Sequence, residues 1–293
     1  MDINRGSLDA LFTAFKANVL KGAGEASLPV EQLAMVIPSN TAIEKYPVLR
    51  LLSKMREWIG PRQIQNVKGE VLSVTNGDYE HTEGIDRNDI EDDQMGLYGP
   101  MFEGMGADAA NLWGRILFDA LIANGDWLDG NAFFYDTRTY GSSTIDNATT
   151  GALATATFDA AYLAMQSFCN HAGEPIGVVP DLLVVGPSLR TTAGEILHQG
   201  PGATSWSAND GIVDMLVHPK LVGDYAAYWY LLQTKGAAKP FIVQKRKIGA
   251  LTRMDKDTDA CVFEKNENQY GLHYRGAAAL AIPHQAYFST GAA

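Results

Sequence analysis

Apolar residues recur every three or four positions in several stretches of the chain, a spacing that places them on one face of a helix. The clearest stretch covers residues 100–124 and is stopped by Asn124 and Gly125. We predict a helix of about six turns there. The same spacing predicts further helices over residues 46–59 and 158–170.

A shorter helix is predicted near the start of the chain, over residues 7–21, with Ser7 as its cap. Leu8, Phe12 and Phe15 lie on its apolar face, and such a face needs a partner. Two interpretations stay open. The helix either docks on its own domain or grips a neighbouring subunit or a scaffold.

The pattern changes to strand-like alternation after Pro61. Residues 62–75 and 78–90 alternate on either side of Asn76 and Gly77, a pair favoured in tight hairpin turns. We therefore predict a long, polar β-hairpin. Two strands alone are marginally stable in water, so we expect this hairpin to lie against something else.

The second half of the chain mixes strand-like and helix-like runs. Pro187 begins a predicted helix that ends at His198. Short runs rich in apolar residues predict strands at 181–185, 212–218, 226–233, 240–247, 260–265 and 269–282. The predicted fold class is therefore α+β.

The composition is that of a globular protein, with 46% hydrophobic residues among 293 and a formal net charge of −11. Positive charge is too sparse for tight nucleic-acid binding. The basic residues at 239–253 fit either a solvated strand face or a contact with an acidic neighbour. Two cysteines are too few for a disulfide framework. No run approaches the ~20 apolar residues of a membrane span, and the first residues lack a secretory signal pattern.

Motifs for catalysis and metal binding are incomplete. Asp255, Asp257 and Asp259 match the first ligands of an EF-hand loop, but Ala260 replaces its glycine and Asn266 its final glutamate. No nucleophile and base stand in a recognisable motif. We therefore assign no catalytic, cofactor-binding or metal-binding residue and expect no enzyme.

Several segments, in the same order along the chain, resemble the Mu-type major head protein family of tailed bacteriophages. Members of this family have the Hong Kong 97-type capsid fold. The segments that carry the resemblance are REWIGPR at 56–62, DIEDD at 89–93, DGNAFF at 129–134, KPFIVQKRK at 239–247, YG at 270–271 and YRGAA at 274–278.

The resemblance implies a layout for the whole chain. It has an N-terminal arm, an extended β-hairpin loop, a peripheral domain with a long spine helix at about 100–124, and an axial α/β domain. The implied bounds are 1–55 for the arm, 61–92 for the loop, 93–175 plus 268–293 for the peripheral domain, and 176–267 for the axial domain.

The resemblance also implies a function. Copies would form hexamers and pentamers that build an icosahedral shell around double-stranded DNA, which is enclosed without sequence-specific binding. The protein would lie in the virion, and in the host cytoplasm during assembly, with no cofactor and no membrane partner. Residues expected at assembly interfaces are Leu8, Phe12, Phe15, Arg62, Lys68, Asp78, Tyr79, Glu80, His81 and Glu83.

Departures from the family pattern shape the expected partners. Many members carry a long N-terminal scaffolding segment, whereas a short arm precedes the fold here, so we expect a separate scaffolding protein together with a portal. Lys68 lies in the predicted loop, but no crosslinking partner is evident. Two other functions stay open: an encapsulin-like nanocompartment shell, and an acidic hydrolase, which would need a nucleophile and a base.

Overall fold

A computed structural model gives the fold of the chain. The residues that it describes are 4–25, 30–48, 70–92, 97–141, 143–170, 173–198, 209–236 and 238–292. Most of the helix predicted over 46–59, and residues 62–69 of the predicted hairpin, lie outside these ranges.

Two long helices dominate the first half of the chain. Helix α1 (Arg5–Gly24) is capped by Asn4 and not, as predicted, by Ser7. The Asn4 side chain accepts a hydrogen bond from the Ser7 amide at 2.9 Å, and the Asn4 amide donates to the Ser7 hydroxyl at 3.1 Å. Helix α4 (Gly99–Ala123) confirms the predicted long helix and ends at Asn124, whose φ is 43°. The other helices are α2 (Val30–Leu33), α3 (Arg87–Glu91), α5 (Thr155–Gln166), α6 (Arg190–Leu197) and α7 (Ala260–Lys265).

The first large sheet is organised around one long strand. Its strands, in spatial order, are β1 (Ala34–Pro38), β11 (Phe241–Lys247), β13 (Glu267–Leu280) and β12 (Thr252–Met254), with β4 (Gly77–Asp86) pairing along the other edge of β13. The β4 and β13 strands are antiparallel over ten residue pairs, from Glu267 opposite Asp86 to Gly276 opposite Gly77.

The second large sheet contains the shorter apolar strands. Their spatial order is β7 (Ala148–Thr149), β14 (Ala286–Ser289), β10 (Trp229–Leu232), β8 (Leu182–Val185) and β9 (Asp214–Val217). Two small antiparallel pairs complete the described strands. They are β2 (Ile43–Val48) with β3 (Glu70–Thr75), and β5 (Arg138–Tyr140) with β6 (Ser143–Ile145).

Helix α4 joins the two large sheets through one apolar core. Its buried residues Leu117 and Leu121 belong to a cluster that includes Phe241 of the first sheet and Val184 and Tyr230 of the second. The other face of the second sheet packs against α5 and α6 in a separate cluster. Since burial of such side chains is the main stabilising term in folding, α4 holds the two sheets together.

The hairpin predicted around Asn76 and Gly77 is not formed. Strand β3 pairs with β2, and β4 pairs with β13 instead. Asn76 is buried between the two strands and does not occupy a solvent-exposed turn. Local turn preference did not decide the pairing here, because each strand pairs with a strand that is distant from it in the sequence. We call the β2–β3 pair the ribbon.

Two other predictions differ from the structure. Residues 260–265 form helix α7 and not a strand, with Asp259 before the helix and Asn266 ending it at a φ of 55°. Tyr46 begins no helix, because it lies in β2. The domain bounds stay a prediction; β11 joins the first sheet and β14 the second.

Candidate assembly surfaces

The apolar face of α1 is covered by the chain itself. Leu8 and Phe15 are buried, with Phe15 only 2% exposed. The Phe15 ring stacks on Phe102 of α4, with 3.9 Å between centroids, and meets Tyr270 of β13 edge-on at 5.2 Å. Phe12 packs on the edge of the same cluster. Such aromatic packing contributes more than the buried area alone.

A close helix crossing also ties α1 to α4. A Cβ atom on Gly106 would lie 2.1 Å from the Val19 carbonyl oxygen, and one on Gly22 would lie 1.8 Å from the Glu103 carbonyl oxygen. Both distances are far below a permitted contact, so only glycine allows the two backbones to approach this closely. The fit is specific to these two helices.

Arg253 of β12 fastens the start of α1. Its guanidinium donates hydrogen bonds to the Leu8 carbonyl oxygen at 3.1 Å and to the Asp9 carboxylate. It also lies 4.6 Å from the centre of the Phe12 ring, a cation–π contact. The hydrogen bond from Arg253 lowers the pKa of Asp9. One side chain therefore contacts three residues of α1, namely Leu8, Asp9 and Phe12.

These contacts favour the first of the two interpretations of the arm: α1 docks on its own domain. In this conformation, the apolar side chains of Leu8 and Phe15 are inside the chain and are not available to a neighbour. Their assignment, with Phe12, to an assembly interface stays a prediction, which this conformation of α1 does not support for Leu8 and Phe15. The pattern of apolar positions was correct, but it does not reveal which surface covers them.

The ribbon is joined to the first sheet by buried polar side chains. The Gln244 amide of β11, which is fully buried, donates to the Asn76 side-chain oxygen at 2.7 Å. Asn76 in turn donates to the Ser39 hydroxyl and to the Thr41 carbonyl oxygen, each at 2.8 Å. The Tyr46 hydroxyl donates to Gln244 at 2.9 Å. Because buried polar groups are costly unless paired, this network fixes where the ribbon leaves the sheet.

The Glu44 carboxylate closes the turn at the same joint. It accepts hydrogen bonds from the backbone amides of Asn40 and Thr41 at 2.8 and 2.9 Å, and from the Ser39 hydroxyl at 3.0 Å. These bonds, the amide of Thr41 first, lower the pKa of Glu44 to about 2. This joint was not predicted from the sequence. The available signal was Gln244, a polar residue directly after the apolar run 241–243.

One face of the ribbon is covered and the other is open. Val74 is buried, whereas Ile43 and Val71 on the opposite face are 50% and 44% exposed. Alternation along a strand places successive side chains on opposite faces, which explains the difference. Arg62 and Lys68, both expected at an interface, lie outside the described residues.

The remaining expected interface residues lie on β4, on alternate faces. Tyr79, His81 and Glu83 face α4, where the His81 ring lies 3.0 Å from Glu83 and 3.3 Å from Asp108. Burial raises the pKa of Tyr79. Asp78 and Glu80 are exposed on the other face.

Asp78 is the acidic centre of a small network on that face. Its carboxylate forms an ion pair with the Arg275 Nε atom at 2.5 Å and contacts the His273 ring at 3.2 Å. Lys247 lies 2.8 Å from the other ring nitrogen of His273. The basic cluster at 239–253 is thus used largely within the chain, since Lys245 pairs with Glu31 and Arg253 with Asp9.

Neither a metal site nor a membrane span is evident in the parts of the chain that the structure describes. No three His, Cys, Asp or Glu side chains there are arranged to hold a metal ion. No helix among those residues is both long and apolar enough to cross a bilayer. Of the three EF-hand-like aspartates, Asp255 contacts Arg253 at 3.3 Å and Asp257 contacts Arg87 at 2.7 Å.

Comparison with known proteins places this arrangement in a family. The model of the family described as "Mu-like prophage major head subunit gpT" matches residues 8–151, 138–221 and 209–292. The chain belongs to this family. Its members are structural head subunits and not enzymes, as the resemblance implied.

Two curated relatives support the assignment. The major capsid protein of Escherichia phage Mu is 34% identical over 137 residues, which are 46% of this chain and 45% of that protein. A Mu-like prophage FluMu major head subunit of Haemophilus influenzae is 25% identical over 266 residues, which are 91% of this chain and 67% of the relative. The aligned regions thus cover about half to two thirds of these relatives.

Solved structures show the same fold. A chain of the procapsid of bacteriophage JBD30 is 26% identical with a TM-score of 0.62, covering 98% of this chain and 76% of its own length. A chain of a virus-like particle from Pyrococcus furiosus is 8% identical with a TM-score of 0.57, and the match covers 95% of this chain and 98% of that chain. The mixed helix and sheet architecture is therefore a capsid fold.

Proposed function

We propose that this chain is the major capsid protein of a tailed bacteriophage or prophage. Copies assemble as hexamers and pentamers into an icosahedral shell, which encloses double-stranded DNA in the virion. The observation that carries the proposal is the family match from residue 8 to 292, supported by the likeness to the JBD30 procapsid.

The domain roles follow the two sheets. The first sheet with α1 and α4 forms the peripheral domain, with α4 as its spine. The second sheet with α5 and α6 forms the axial domain, which lies nearest the capsomer axis. We place the extended loop at the ribbon, whose strands β2 and β3 pair with each other.

Assembly would explain why one face of the ribbon is exposed in the isolated subunit. An exposed pair of strands with Ile43 and Val71 on its surface gains burial only against another molecule. Several such contacts for each subunit stabilise a closed shell even when each contact is weak. A separate scaffolding protein and a portal complete the expected set of partners, and assembly takes place in the host cytoplasm.

Expression of the chain, alone and with a candidate scaffolding protein, tests the proposal. Light scattering and negative-stain microscopy should reveal closed shells, tubes or rings of six. Shells that contain DNA in infected or induced cells would separate a phage head from a nanocompartment. A small monodisperse species under every condition, even at high concentration, would contradict the proposal.

A further inference from the structure

His218 joins helix α4 to the end of strand β9. Its ring is buried, with 3% exposed, and lies flat on the Phe118 ring of α4, with 3.4 Å between the ring centres and 3° between the ring planes. Beside this stack, the Lys220 ammonium group pairs with the Asp119 carboxylate of α4. Adjacent residues of the helix therefore hold the turn that follows β9.

The hydrogen bonds of the ring assign its proton to one nitrogen. The Lys220 backbone amide donates to Nδ1 of His218 at 3.2 Å, so Nδ1 is an acceptor. A neutral imidazole has one acceptor nitrogen and one N–H group, which places the hydrogen on Nε2. Nε2 is buried and has no hydrogen-bond partner among the described residues. A second proton can bind only at Nδ1, the atom that already accepts from Lys220.

Protonation at Nδ1 would place two N–H donors opposite each other. The hydrogen bond from the Lys220 amide would be lost, and the new positive charge would lie in a buried site. The charged groups beside the ring are Lys220 of the turn and Asp119 of α4, which pair with each other. Burial first, and then the charge of Lys220, lower the pKa of His218 from 6.5 to about 4.

The turn is packed too tightly to absorb the lost hydrogen bond in place. The Leu221 amide donates to the His218 carbonyl oxygen at 3.3 Å, and the Leu221 side chain is buried in the core that α4 shares with both sheets. A Cβ atom on Gly186, directly after β8, would lie 2.2 Å from the Leu221 carbonyl oxygen. Only glycine permits this approach of the two backbones. The turn can therefore relieve the lost bond only by moving away from Gly186.

We infer that protonation of His218 opens the turn after β9 and separates it from α4, which makes this joint an acid-sensitive switch. The open turn exposes Leu221 and moves Val222 and Tyr225, which follow it and are already partly exposed. Among the described strands, β9 pairs with β8 alone, so the turn can open without disrupting the other strands of the second sheet. The inference concerns the single subunit and does not depend on assembly.

Proton linkage gives the sign and the size of the effect. In the open turn the His218 ring is in water, so its pKa returns to the ordinary value of 6.5, above the value of about 4 in the closed turn. The closed turn is therefore fully favoured above about pH 6.5 and loses stability as pH falls toward 4. Between pH 7.5 and 4.5, the open fraction should rise about fiftyfold.

Amide hydrogen exchange of the unassembled full-length chain tests the inference. Protection factors, which correct for the intrinsic pH dependence of exchange, should fall about fiftyfold at Lys220 and Leu221 between pH 7.5 and 4.5. Protection of the Tyr230 amide, in the middle strand of the second sheet, should stay unchanged. His218→Asn should abolish the fall, because the asparagine side-chain oxygen can accept from the Lys220 amide and does not titrate.

Matched variants separate His218 from other titrating groups. His284→Gln is the first control, since His284 is also buried, with a pKa lowered to about 4, but lies directly before β14. This variant should keep the acid response of the turn. Asp119→Asn should keep it as well, which excludes titration of the α4 carboxylate. Nitrogen NMR of the histidine-labelled wild-type chain should show the Nε2–H form of His218 at pH 7.5, a check that needs no variant.

Several results would overturn the inference. Equal protection of Lys220 and Leu221 at both pH values would mean that the turn does not open. An equal fall in His218→Asn and in the wild-type chain would assign the titration to another group. Loss of protection at Tyr230 together with the turn would show global unfolding and not a local switch, and an Nδ1–H form of His218 would remove the atom on which the switch depends. Each of these results can occur whether or not the chain builds shells, so the proposed function is tested separately.

Discussion

Replacement of Phe15 by alanine should strongly weaken the docking of α1. The ring is 2% exposed and stacks at 3.9 Å on Phe102, with Tyr270 at 5.2 Å, so its removal leaves a cavity between α1, α4 and β13. Truncation of a buried phenylalanine costs about 3–5 kcal/mol. That is a large part of the 5–15 kcal/mol, roughly, that stabilises a typical domain.

Urea unfolding of unassembled subunits measures this cost, and hydrogen exchange of the α1 amides locates it. Leu20→Ala is the matched control, because Leu20 lies on the same helix and is 73% exposed. The control should change the free energy of unfolding by no more than about 0.5 kcal/mol. Equal stability of the Phe15→Ala and Leu20→Ala subunits, with a defect only in assembled shells, would show that α1 grips a neighbour instead.

Three further substitutions test other contacts. Gly106→Ala should destabilise the subunit and speed amide hydrogen exchange in α1, because the new Cβ would lie 2.1 Å from the Val19 carbonyl oxygen. Gly104→Ala is the control, since the space around Gly104 is open, and it should stabilise the subunit by about 0.5–1 kcal/mol. Asn76→Ala should cost about 1–3 kcal/mol for each buried group left unpaired, and amide exchange should rise in β3 but not in α4. Burial lowers the pKa of His218 from 6.5 to about 4. As pH falls, the unfolded chain therefore takes up a proton before the folded chain does. The free energy of unfolding should fall by up to about 3 kcal/mol between pH 6.5 and 4. His218→Phe should remove that loss, as measured by urea unfolding at pH 7 and pH 4.5.

Each of these tests has a result that would count against the structure. Equal effects of Gly106→Ala and Gly104→Ala would mean that α1 and α4 do not cross closely. Unchanged amide hydrogen exchange in β3 after Asn76→Ala would mean that the Asn76 hydrogen bonds do not hold the ribbon to the sheet. The same pH dependence in His218→Phe as in the wild-type chain would place the titration on other groups.

Local patterns in the sequence predicted the two long helices, α1 and α4, well. The stretch 100–124 has a repeating apolar face, a proline in its first turn and an asparagine that ends it, and the structure has α4 at Gly99–Ala123. Helix α1 was predicted for the same reason. These signals lie within a few residues of each other, so they do not depend on the rest of the chain.

Pairing of strands could not be predicted from the same signals. Asn76 and Gly77 are a strong local signal for a hairpin, yet β3 and β4 do not pair with each other. Strand β3 pairs with the earlier strand β2, and β4 pairs with β13, far along the chain. The partner of β4 begins 181 residues after Asp86, at Glu267. Such pairings depend on which surfaces meet in three dimensions, and neither propensity nor turn chemistry encodes that.

The candidate surfaces were predicted only in part. The sequence identified the apolar face of α1, but not that Phe102 and Tyr270 cover it. It also identified the acidic residues of β4 without the pairing that leaves one edge of that strand open. In contrast, Arg253 gave no local signal, because its partners are on an arm more than 240 residues away.

The central claim is that copies of this chain build a closed shell. Cryo-electron microscopy of particles assembled from the full-length chain tests it most directly. The expected result is shells made of rings of six and five, with α4 in the peripheral part of each subunit and the ribbon on a neighbouring copy. Particles without rings of six and five, or ribbons that contact only their own subunit, would contradict it.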